Sequence, residues 1–168
     1  MAYTGEIMNA CGMINIDLSK VAVVAVSGDG PNICGHLLLH AGPSRGGYYF
    51  HVAGEIHGYP RYMSEAGYKR YMREAGKTEL RRRYLSLPDP NGALMYLEGL
   101  MANKWTWLVL PNNCVHFVEE VIKAGGGTWS SYSNCPDIAT QDTLSERIDR
   151  FLQQLESEIY RMYGVPHF

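Results

Sequence analysis

Apolar and polar positions alternate in a way that divides the chain into short strands in its first third and helices further on. Residues 21–26 (VAVVAV) form a β-branched run too short for a stable helix; the turn formers SGDGPN close it, and a strand is predicted. Two more strands are predicted over 35–41 and 47–53, joined at GPSRGG as an antiparallel hairpin. Ile14 and Ile16 are candidates for a short edge strand. Gly67 and Gly76 break residues 59–84 into short helical pieces, read as a helical insertion whose tyrosines pack on the sheet. LPDPNG reads as a turn, followed by a helix over 93–102 with Leu94, Leu97, Leu100 and Met101 on its buried stripe. The next unit is strand 105–110, a stop at Pro111, and a helix that starts near Cys114 and ends at Gly125 to Gly127. That helix carries Phe117, Val118, Val121 and Ile122 on one side, with Glu119, Glu120 and Lys123 outside. Residues 128–140 read as a polar loop with a short strand at TWSSY, and 142–163 as an amphipathic helix capped by Asp142 or Thr143. The pattern is that of one α+β domain spanning residues 1–168.

Composition narrows the partners. The formal charge is -2, which does not make the whole chain a nucleic-acid binder. Residues 59–84 nevertheless hold eight basic side chains against three glutamates, a net +5 that leaves about -7 for the rest. With Tyr62, Tyr68 and Tyr71 interleaved, this segment is read as a solvated face or as a groove wall for an anionic substrate or partner. No apolar run is long enough to span a membrane, and no signal-peptide pattern opens the chain. Cys11, Cys34, Cys114 and Cys135 form no CxxC, and the six histidines make no HExxH, so no cofactor or metal is expected. Reduced thiols are the default, with a Cys11–Cys34 bond left open.

Cys114 is the residue with chemical promise. At the first turn of a helix, unpaired N–H groups and the helix dipole bias a thiol toward thiolate. A cysteine hydrolase also needs an imidazole base and a group that holds it in the right tautomer. His36 opens the first strand of the predicted hairpin and His51 lies near the end of the second, so antiparallel pairing brings them close. His36 is therefore the candidate base and His51 its orienter; His40, on the same strand face as His36, is the other candidate for the second imidazole. His116 lies two positions from Cys114, on another side of the helix, and is a poor base for it. The Cys114 backbone N–H is a natural oxyanion donor.

NNCVHFVEEVIKAGG resembles the NC-x-HF-V cysteine motif of the lecithin:retinol acyltransferase-like proteins, and GHLLLHAG followed by GYYFHVAG resembles their histidine region. The histidine-first order is similar to that of the circularly permuted NlpC-type papain-like cysteine hydrolases. The resemblance implies a papain-like antiparallel sheet with the nucleophile at a helix N-terminus: Cys114 as nucleophile, His36 as base and His51 in the third polar position. Val115 replaces the glutamate usual in the acyltransferase motif, and the C-terminal helix is amphipathic where many animal members have a membrane span. Both departures point to the wider superfamily of peptidoglycan amidases and endopeptidases. Some of those are antibacterial toxins made in the bacterial cytoplasm, delivered to a target periplasm by secretion systems such as type VI, and blocked by an immunity protein. A lipid acyltransferase or phospholipase, and a non-enzymatic binding domain on the same fold, are the alternatives.

Overall fold

The computed structural model describes residues 2–8, 14, 16–28, 35–43, 46–52, 57–106 and 113–128. The chain separates into two compact units, Met1–Asn134 and Cys135–Phe168, and every described residue belongs to the first. The strand expected at TWSSY, apart from Thr128, and the helix expected over 142–163 lie outside the described residues.

In chain order the elements are β1 (Glu6–Ile7), β2 (Lys20–Val26), β3 (His36–Ala41), β4 (Tyr48–His51), β5 (His57–Gly58) and β6 (Arg61–Ser64). Helix α1 (Glu65–Glu74), β7 (Glu79–Ser86), α2 (Pro90–Met101), β8 (Trp105–Thr106) and α3 (Cys114–Ala124) follow. The architecture is α+β: six strands form an antiparallel sheet in the order β1-β6-β4-β3-β2-β7, and β5 and β8 pair separately. Val21 through Val26 are all buried, because β2 lies between β3 and β7 with both of its faces covered. The hairpin of β3 and β4 forms as expected, with Leu39 opposite Phe50 and His40 opposite Tyr49.

Period-two alternation gives the sheet two unlike faces. Leu37, Leu39, Phe50 and Val52 point to one, where Leu97 and Met101 of α2 and Phe117, Val118, Val121 and Ile122 of α3 complete an aliphatic core. Val24, Val26, Leu38, Tyr49 and Met63 point to the other, where Tyr68 and Tyr71 of α1 cover them.

Three expectations are corrected. Residues 59–84 are not a helical insertion but strand, helix and strand, with β6 and β7 inside the main sheet. Gly67 does not break α1; Ser64 accepts the Gly67 N–H as N-cap, and the missing side chain leaves room for the Tyr3 hydroxyl. The arginines of β7 are tolerated in a strand because β7 ends the sheet, where charged side chains reach water. The second correction is that α2 starts at Pro90, ahead of the expected 93, since Asp89 caps it and proline suits the first helical turn. Finally, Ile14 and Ile16 are not in a strand, and the edge strand of this region is β1. No helix among the described residues is long and apolar enough to cross a membrane.

Candidate active site

The site begins at Gly35. Its φ of 74° is a left-handed conformation that suits glycine, and a Cβ there would run into the Val26 carbonyl. The chain thus turns tightly into β3, and the first strand residue, His36, comes opposite Val26. Continuing the β3–β4 register places His51 opposite Leu38, so His36 and His51 are diagonal neighbours on one face. Their rings meet edge to face with centroids 5.0 Å apart.

A hydrogen-bond chain assigns the protons. His51 Nε2 lies 2.8 Å from the Thr4 carbonyl oxygen, which can only accept, so Nε2 carries the proton. His51 Nδ1 is then an acceptor, and the His36 Nε2–H donates to it across 2.8 Å. That leaves His36 Nδ1 with its lone pair, the nitrogen a general base needs. Both rings are held neutral. Burial lowers the His51 pKa to about 4, the Arg61 charge adds to the fall, and the Thr4 hydrogen bond opposes it. His36 is pushed well below the ordinary histidine range by desolvation first, then by His51 and the Lys77 charge. Lys77 is only 8% exposed. The Tyr71 ring lies 5.7 Å from that of His51 and closes this side.

Cys114 is the first residue of α3, as the sequence predicts. Asn113 caps the helix by accepting the His116 N–H on its side-chain oxygen at 3.0 Å. The thiol is a free cysteine packed at the margin of the aliphatic core. The backbone N–H dipoles of Leu37, Cys114 and Val115 favour thiolate, but burial outweighs them and raises the Cys114 pKa above the usual thiol value. The expected bias toward thiolate is therefore reversed by desolvation. The structure brings His36 and His51 together and does not hydrogen-bond Cys114 to either; the sulfur meets β3 at Leu37, the next residue after His36.

The other histidines are elsewhere. His40 is fully buried at the far end of β3, packs on Tyr49 at 4.6 Å, and among the described residues has no hydrogen-bond partner on either nitrogen. It therefore does not take the place of His51 beside His36. His57 pairs with Thr106 Oγ1 at 3.1 Å, and His116 lies 6.0 Å from the Trp105 ring. Part of the basic segment is structural: Arg82 donates to Glu79 at 2.8 Å and to the Tyr49 hydroxyl at 3.0 Å, and Tyr49 stacks on Tyr68 at 3.9 Å. Cys11, Cys34 and Cys135 lie outside the described residues, and among the described residues no three His, Cys, Asp or Glu side chains converge as metal ligands.

Sequence reasoning missed Thr4, Arg61, Tyr71 and Lys77. Thr4 acts through a carbonyl that every residue possesses, so it has no sequence signal. No family model, curated protein or solved structure matches this chain.

Proposed function

We propose that the chain is a cysteine hydrolase that cleaves an amide bond, with Cys114 as nucleophile, His36 as base and His51 as orienter. The observation that carries this reading is the Thr4–His51–His36 hydrogen-bond chain, which leaves an unprotonated imidazole nitrogen on the residue before Leu37, whose amide favours the Cys114 thiolate. Attack requires the sulfur to come within hydrogen-bond reach of His36 Nδ1; catalytic hydrogen bonds are commonly long or unformed without substrate. The thiol then gives its proton to Nδ1 as the sulfur bonds the carbonyl carbon. The developing oxyanion is met by N–H groups at the start of α3. The C–N bond breaks, the leaving amine takes the proton from His36, and water hydrolyses the thioester. Because both partners are neutral at rest, this is general-base catalysis and not a preformed ion pair.

The substrate class proposed is cell-wall peptide, with lipid acyl chemistry as its competitor. Sacculi and phospholipid vesicles, incubated separately with the protein and read by mass spectrometry, decide between them. Muropeptide products lost in Cys114→Ala support the proposal; fatty-acid release from vesicles with intact sacculi replaces it. A second reading is a non-enzymatic binding domain on the same fold, favoured by the raised thiol pKa and the missing Cys114–His36 bond. It predicts no turnover of either substrate.

A further inference from the structure

The imidazole pair depends on a strap at the start of the chain. Tyr3 donates its backbone N–H to Glu74 Oε2 at 3.0 Å, and the Arg70 guanidinium sits 4.5 Å from the centre of the Tyr3 ring. Thr4 offers its carbonyl to His51, Gly5 turns with φ 101°, and Glu6–Ile7 pairs with β6. Arg61 is central to this arrangement. It stands between Ile7 on one side and His51 on the other in the sheet register, and its Nη1 donates to the Gly5 carbonyl at 3.3 Å. A carbonyl one residue from Thr4 is thus pinned from the strand that borders His51.

We propose that Arg61 is a positioning residue for the His36–His51 pair: by holding the Gly5 carbonyl it aims the Thr4 carbonyl at His51 Nε2 and so selects the tautomer that leaves His36 Nδ1 bare. This rests on the reading of His36 as the base. Register partners share a face, so the guanidinium is on the same side of the sheet as the imidazole. There its positive charge also disfavours a proton on His51. One side chain therefore fixes both where the His51 proton sits and how many it carries. Two further anchors, Glu74 on the Tyr3 N–H and the β1–β6 pairing, hold the strap on either side of Thr4.

The test is nitrogen-15 NMR of the histidine rings in the intact chain, comparing wild type with Arg61→Met and Arg61→Lys, after circular dichroism shows each to be folded. Wild type should show His51 as a single Nε2–H tautomer. Arg61→Met, of similar length but without charge or donor, should show mixed tautomers at His51 in place of the single Nε2–H form. Arg61→Lys, which keeps a charge and a donor, should restore most of the wild-type pattern. A folded Arg61→Met protein with an unchanged His51 tautomer and titration overturns the proposal, as does an Arg61→Lys protein no better than Arg61→Met. Should Arg61→Met not fold, Arg61→Gln, also without the charge, carries the same measurement: mixed His51 tautomers support the role, and an unchanged single tautomer overturns it. The readout needs no turnover, so absence of hydrolase activity would fall on the proposed function and leave Arg61's role standing.

Discussion

The two faces of the sheet are built from the same strands and do different work. On β3, Leu37, Leu39 and Ala41 enter the aliphatic core under α2 and α3, while His36, Leu38 and His40 face the side covered by α1. On β4, Phe50 and Val52 go one way, and Tyr49 and His51 the other. The first face is mostly aliphatic, with the Cys114 thiol at its margin. The second holds three histidines, Tyr49, Tyr68 and the Arg82–Glu79 pair, joined through hydrogen bonds and ring contacts. A period of two lets one strand serve stability with one set of side chains and proton chemistry with the next. Cys114 arrives with the aliphatic helix α3, and the imidazole pair comes from β3 and β4.

The contrast predicts different costs on the two sides. Phe117→Ala, which empties a fully buried site on the aliphatic face, should cost about 3–5 kcal/mol, read from a urea midpoint. A change on that scale at Tyr68→Phe, which removes only the hydroxyl donated to Glu79, would erase the distinction; about 1 kcal/mol is expected.

The titratable face should also make stability pH-dependent. His51 protonates near 6.5 when unfolded and at about 4 in the fold. Between those values the unfolded chain holds more protons, so stability is full above the upper value and falls as pH drops toward the lower one. The loss from His51 is about 3 kcal/mol, and His36 adds to it in the same direction. Denaturation at pH 7 and pH 4.5 measures it, and His51→Gln should flatten the difference. Smaller still is the cap of α3: Asn113→Ala should cost about 1 kcal/mol, with m unchanged. The exposed Lys123–Glu120 pair sits at the bottom of the scale, and Lys123→Ala should change stability by about 0.5 kcal/mol or less.

Much of this was legible in the chain. The hairpin around GPSRGG puts His36 and His51 at adjoining strand ends, and Pro-Asn-Asn-Cys marks the start of a helix; both features are present, while the shared face of the two imidazoles follows from the strand register. Three others had no accessible signal. ELRRRYLS reads as polar, and only its place at the end of the sheet makes it a strand. The effect of the helix start on Cys114 depends on how deeply the thiol is buried, which propensity and capping do not report. The Thr4 carbonyl is 47 residues from His51 and chemically like every other carbonyl, so the tautomer of the pair depends on tertiary structure alone.

The most direct measurement of the central claim, that Cys114 acts with His36, is acylation by an activated acyl ester followed by intact-protein and peptide mass spectrometry. One acyl group per chain is expected, mapped to Cys114 and absent in Cys114→Ala, with formation slowed about a hundredfold or more in His36→Ala. Acylation of Cys114 at the same rate in folded His36→Ala, or an acyl group mapped to another residue, would contradict it.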